Sequence, residues 1–171
     1  IDMIAKGINA PQTSSLGRLF DGVAAIIGLR DEVAFEGQAA MELEMTAADD
    51  ADRIYDDARD GGIPGKISLA PIIRGVVDDV VAGVAPSLIS ARFHQTLVSL
   101  FGGVCEGLRR ENGLNRVALS GGAFQNDILL RGITRTLVQK GFEVYSHRQV
   151  PTNDGGISLG QAVAAAARLK Q

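Results

Sequence analysis

Arg116-Val117-Ala118-Leu119-Ser120-Gly121-Gly122-Ala123-Phe124-Gln125-Asn126 is the stretch whose reading decides the fold. A short apolar run over 116–120 predicts a strand, and the paired glycines predict a tight turn. Residues 127–140 follow at helical spacing and stop at Gly141. The same order then recurs. Residues 142–146 predict a second strand, Pro151-Thr152-Asn153-Asp154-Gly155-Gly156 a loop, and an Ala-rich helix runs on to about Lys170. Strand, Gly turn, helix, taken twice, predicts an α/β arrangement with a parallel strand pair. Such a pair would aim both loops at one crevice beyond the carboxyl ends of the strands, where ligands of α/β folds lie. Paired glycines let a ligand approach the backbone, and amides near a helix start suit an anion. A plain turn is the competing reading of Gly121-Gly122. Asp154 is open to three roles: metal ligand, ribose contact or helix N-cap, with the cap as the default.

Working outward, the preceding 100 residues are mainly helical. Residues 1–12 show little periodicity and read as a leading segment. Thr13, Ser14 and Ser15 offer N-cap hydroxyls ahead of Leu16, Leu19, Phe20, Val23, Ala24 and Ile27, with Gly28 at the C′ position. Residues 33–35 predict a short extended stretch. Helical spacing returns from Gln38 to about Ala48, with Ala40, Leu43 and Ala47 on one face. Six Asp between Ala48 and Asp60 (49, 50, 52, 56, 57 and 60) predict a solvated loop or helix face. Gly61, Gly62, Pro64 and Gly65 predict a break, and residues 67–69 a strand. Pro71 opens a helix to about Ala82, and Pro86 opens a longer one to Glu111. That helix carries Leu88, Ile89, Phe93, Leu97, Leu100, Val104 and Leu108 as a buried stripe. Gly102 and Gly103 inside it predict either weakness or the close approach of another element.

Composition narrows the function. With 17 Lys and Arg against 20 Asp and Glu, the net charge of −3 excludes a general electrostatic grip on nucleic acid. The lone Cys105 cannot close an internal disulfide or build a cysteine zinc site, and reads as a small core residue. No apolar run is long enough to span a bilayer. A reducing, cytoplasmic setting is expected. The chain begins at Ile1 rather than Met and reads as a piece of a longer one. His94, beside the apolar stripe, is expected to be a satisfied structural histidine, and His147 a surface or edge residue. Neither has a second His at metal-ligand spacing.

Five segments, in order, carry a family resemblance. They are 14–21 (SSLGRLFD), 35–44 (FEGQAAMELE), 91–94 (ARFH), 119–126 (LSGGAFQN) and 153–162 (NDGGISLGQA). Together they resemble the C-terminal part of the HypF carbamoyltransferases, which mature [NiFe] hydrogenases, from about residue 10 to the end. The TsaD-type tRNA threonylcarbamoyladenosine transferases are related, and share an actin-like (ASKHA) two-lobed ATPase fold. The resemblance implies the C-terminal lobe of that fold with added helices. Its parts would be 1–12 as the leading segment, 13–112 as the mainly helical part and 113–171 as the α/β nucleotide-binding part.

The resemblance also implies chemistry. HypF proteins use carbamoyl phosphate and ATP to form a carbamoyl-adenylate, and pass the carbamoyl group to the C-terminal cysteine of HypE. Gly121 and Gly122 would lie along the phosphates or adenosine of the nucleotide, and Asn126 on the base side. Asp21, Gly37, Gln38 and Glu42 match the ribose-holding region of TsaD-type relatives, which carry Gly where Gln38 stands. Asp154 matches the aspartate that completes a divalent metal site, Fe or Zn, with two histidines absent from this chain. By this reading the chain is half a site: folded, catalytically silent alone, and prone to self-association. Two alternatives stand beside it, a TsaD-type transferase acting on tRNA and a noncatalytic nucleotide-binding module.

Overall fold

Ser15 starts the first long helix as its spacing predicts. In the computed structural model, which describes residues 2–56, 58–59 and 67–169, its side chain accepts a hydrogen bond from the Arg18 amide at 3.4 Å. This helix, α2 (Leu16–Ile26), follows a single turn, α1 (Asp2–Ala5), within the segment read as irregular. Its end is a Schellman motif. Gly28 takes φ +72°, its amide donates to Ala25, and the Leu29 amide reaches back to Ala24. Phe20, Val23 and Ala24 are buried, so the predicted face is the observed one.

Residues 33–35 are not extended. They form bends, with Val33 and Phe35 more than half exposed. Among the described residues no strand pairs with them, and an unpaired strand has no ladder to satisfy its backbone. Gly37 at φ +81° then starts α3 (Gln38–Thr46), which buries Ala39 and Leu43. A loop over 47–56 holds the described part of the acidic run. Asp49, Asp50, Asp52 and Asp56 are exposed as expected, and Asp52 also takes a bidentate ion pair from Arg92. Asp57, Asp60 and the Gly/Pro break at 61–65 lie outside the described residues. Strand β1 (Ala58–Arg59) pairs antiparallel with β2 (Ile67–Ser68).

Pro71 lies in the first turn of α4 (Ala70–Val81) and Pro86 opens α5 (Pro86–Asn112), 27 residues long. The first half of α5 is the centre of the molecule, because Ile89 through His94 are all buried. Four of its buried residues are polar, so each must find a partner. Ser90 donates to the Leu43 carbonyl, Arg92 to Asp52 and Asp79, and Thr96 to the Arg92 carbonyl, while His94 is bonded at both ring nitrogens. Farther along, Leu108 is 38% exposed and Gly107 is the buried position, so the stripe departs from the predicted one there. Gly102 marks a close approach, since a Cβ on it would stand 3.0 Å from Thr136 Cγ2 of the next helix. α6 (Asp127–Gln139) lies along α5, while α3 and α4 pack on α5 from elsewhere and α2 packs on α3 and α4.

β3 (Arg116–Leu119) and β4 (Glu143–Ser146) form the predicted parallel pair, in register from Arg116 opposite Glu143 to Leu119 opposite Ser146. α6 is the crossover between them. The final helix, α7 (Ile157–Arg168), buries none of its residues and leaves Ile157, Leu159 and Val163 about half exposed. No helix among the described residues is long and apolar enough to cross a membrane.

Candidate nucleotide-binding site

The two loops at the carboxyl ends of β3 and β4 do converge. The Gly121 amide donates to the Thr152 carbonyl at 2.9 Å, tying the paired-glycine turn to the loop that carries Asp154. Gly121 holds φ +109° and ψ 159°, a conformation open essentially to glycine alone. Gly122–Gln125 forms a 3₁₀ turn that packs against α2, the helix bearing Asp21. A Cβ on Gly122 would meet nothing within 4 Å, so this face of the turn is open.

Which amides remain for a ligand follows from the local bonds. The first three amides of α6 are already taken: Asp127 and Ile128 donate to Glu44 Oε1 at 2.6 and 3.2 Å, and Leu129 to Asn126 Oδ1 at 2.9 Å. A carboxylate from α3 thus occupies the position where sequence reasoning expects an anion, an arrangement the helix dipole favours. The amides of Gly122 and Ala123, at the start of the 3₁₀ turn, have no acceptor among the described residues. They are the donors a ligand would meet.

Asn126 is the N-cap of α6, the role that an Asn directly before a helix start signals, and one that the base-side contact implied by the resemblance leaves out. Its Nδ2 also reaches His94 Nε2 at 3.0 Å, so one amide hydrogen remains for a ligand. Asp21 makes a long ion pair of 3.4 Å with Arg18 through Oδ2, and its Oδ1 has no partner among the described residues. Glu42 is more committed. Arg30 donates to both its oxygens at 2.7 and 2.8 Å, and Gln38 Nε2 donates to Oε1 at 3.0 Å. Those bonds from Arg30, then Gln38, hold the Glu42 carboxyl below the usual range and hence ionised. Gln38 Oε1 accepts from the Ala34 amide, so Gln38 closes the 34–37 turn from inside α3. α2, which carries Asp21, and α3, which carries Gln38 and Glu42, pack directly on each other.

Asp154 is not the cap. Asn153 takes that role, accepting from the Gly155 amide at 3.1 Å, because its side chain sits one residue before the turn and can bend back on it. The Asp154 carboxylate is exposed and accepts no hydrogen bond among the described residues. No group of three or more His, Cys, Asp and Glu converges among those residues, so the described residues alone do not build a metal site. His147 is exposed, as expected, and bonds Ser120 Oγ at 3.0 Å. Cys105 is half-buried against the core, and burial pushes its thiol up.

Comparison with known proteins decides the family. The family described as carbamoyltransferase, Kae1-like domain, second subdomain, matches residues 1–161. The chain belongs to the HypF carbamoyltransferase family. The carbamoyltransferase HypF of Synechocystis is 38% identical over 157 residues, covering 91% of this chain and 20% of that protein. The Rhodobacter capsulatus HypF is 36% identical, over 98% of this chain and 22% of its own length. A full-length HypF crystal structure in a phosphate- and nucleotide-bound form superposes with TM-score 0.88 at 45% identity, covering 99% of this chain and 22% of that one. HypF from T. kodakarensis gives TM-score 0.83 at 26% identity, with the same coverage. The chain therefore spans about a fifth of the length of the HypF proteins it matches.

Proposed function

We propose that this chain is the nucleotide-binding part of the C-terminal, actin-like lobe of a cytoplasmic HypF carbamoyltransferase acting in [NiFe]-hydrogenase maturation. The observation that carries the proposal is the junction of the two loops through the Gly121 amide and Thr152 carbonyl, with an open glycine face and two amides beside it that meet no acceptor among the described residues. That geometry suits close approach of a phosphate or sugar to the backbone. Asp21, with a carboxylate oxygen to spare, and the Gly37–Glu42 segment would take the ribose hydroxyls. Glu42 would do so from an orientation fixed by Arg30 and Gln38. Asn126 would offer its remaining amide hydrogen to the base side.

In the full-length enzyme, water cleaves carbamoyl phosphate to carbamate and inorganic phosphate, and a carbamate oxygen attacks the α-phosphorus of ATP and displaces pyrophosphate. The resulting carbamoyl-adenylate then transfers its carbamoyl group to the C-terminal cysteine thiolate of HypE, releasing AMP. The part of this chain in those steps is to bind and orient the nucleotide. Asp154 would contribute one hard oxygen ligand to an Fe or Zn ion completed by histidines outside this chain, with the ion orienting the bound phosphates.

The test uses full-length protein containing this segment, with ATP, carbamoyl phosphate and purified HypE. The expected outcome is pyrophosphate release that requires carbamoyl phosphate, and a HypE C-terminal peptide heavier by one carbamoyl group. ATP turnover that is indifferent to carbamoyl phosphate, with unmodified HypE, would reject the proposal. The 171-residue chain alone is expected to show neither activity.

A further inference from the structure

His94 lies where three segments meet. Its ring is fully buried, edge-on to Phe20 of α2 with centroids 5.3 Å apart and to Phe93 at 5.9 Å. Nδ1 is 2.8 Å from the Ser90 carbonyl, one turn earlier on α5. A carbonyl only accepts, so Nδ1 carries the proton and Nε2 is bare. Nε2 accepts from Asn126 Nδ2 at 3.0 Å. The orientation of that amide is fixed by its other end, because Asn126 Oδ1 accepts from the Leu129 amide. On the far side, the Ser90 hydroxyl donates to the carbonyl of Leu43, the residue after Glu42. Ser90 thus ties α3 to His94, through its hydroxyl on one side and its carbonyl on the other, and His94 ties on to Asn126, while the ring itself leans on the residue before Asp21.

A fully buried position flanked by two phenylalanines is an apolar setting that calls for no polar ring. A polar ring there is costly unless its nitrogens are bonded. What the imidazole adds is an acceptor aimed at Asn126. We propose that His94 is a positioning residue for the nucleotide: its Nε2 holds Asn126, and with it the Gly121–Gln125 turn, in register with Asp21 and Glu42. The inference rests on the nucleotide reading above and adds to it a residue that would not touch the ligand.

The test is ATP titration and steady-state kinetics of full-length protein with His94→Phe, His94→Gln and His94→Asn. Phe keeps the packing and removes the acceptor. The ATP Kd and KM are expected to rise at least tenfold, with kcat at saturating ATP within about threefold of wild type. Gln places an amide oxygen near the position of Nε2, and is expected to stay within threefold of wild type in every parameter. Asn is also polar but too short to reach Asn126, and is expected to lose ATP affinity as Phe does. Should the Phe variant not fold, the Gln and Asn pair decides. A role in stability alone would lower Tm in both and leave ATP affinity equal in both. Folded variants that all bind ATP as wild type does would overturn the inference alone. Wild-type protein that binds no ATP would overturn the nucleotide reading and the inference with it.

Discussion

Gly121 and Gly122 are neighbours in sequence, yet replacing each should have opposite consequences for stability. Gly121 sits at φ +109°, ψ 159°, where a Cβ is strained whatever the space around it. A residue forced into that region costs about 1–3 kcal/mol. For a chain of this size about 2–4 °C of Tm accompanies each kcal/mol, so Gly121→Ala should lower Tm by about 2–12 °C. Gly122 has no such φ, and its Cβ would find open space. Removing unfolded-state freedom at a compatible position stabilises by about 0.4–1 kcal/mol, so Gly122→Ala should leave Tm unchanged or raise it by up to about 4 °C. The functional consequence runs the other way for Gly122. If the nucleotide passes over the open face, Gly122→Val in the full-length protein should weaken ATP binding by more than the ~1 kcal/mol of ordinary backbone propensity. A loss of about 1.4 kcal/mol would read as tenfold in Kd. Thermal unfolding of the chain and isothermal titration of the full-length protein measure the two halves. The diagnostic is a Gly122→Ala chain at least as stable as wild type together with a folded Gly122→Val protein that binds ATP poorly. Equal ATP affinity in a folded Gly122→Val protein would refute the placement of the nucleotide, and a Gly121→Ala chain as stable as wild type would refute the strain argument.

Three further outcomes are expected. Asp79 is buried and accepts from Tyr55 at 2.6 Å, Arg92 at 2.7 Å and Arg53 at 2.5 Å, so Asp79→Ala leaves a buried phenol without its acceptor and a buried guanidinium with one carboxylate instead of two. Because Arg92 keeps Asp52, the cost should fall near the low end for a broken buried pair, about 3 kcal/mol by urea unfolding, and a change under 1 kcal/mol would refute the bracing role. Asp154→Ala in the full-length enzyme should abolish metal-dependent carbamoyl transfer without changing Tm, since the carboxylate is exposed; unchanged metal content and turnover would reject it as a ligand. Burial holds the His94 imidazole below its ordinary value of 6.5, so its neutral form adds stability that is complete above that pH. Urea unfolding at stepped pH should therefore show stability falling as pH drops below 6.5, by at most about 1.4 kcal/mol per pH unit, with that component missing in His94→Gln; superimposable curves would contradict it.

The sequence alone determined the elements whose causes are local. Apolar spacing with Ser15 and Gly28 located α2, Pro71 and Pro86 located two helix starts, and two strands each followed by a glycine turn and a helix predicted the parallel pair. These are effects of periodicity, capping and φ preference, which act within a few residues. What only the tertiary structure decided are the bonds between residues far apart in the chain. Glu44 reaches the α6 amides across 83 residues, Arg92 reaches Asp52 across 40, and Asn126 reaches His94 across 32. No spacing rule encodes such partners, because they are set by how α3, α5 and α6 pack. The bends at 33–35 and the exposed Leu108 diverge for the same reason: burial belongs to the assembled helices, and a short apolar run is hidden only when a neighbour arrives to cover it.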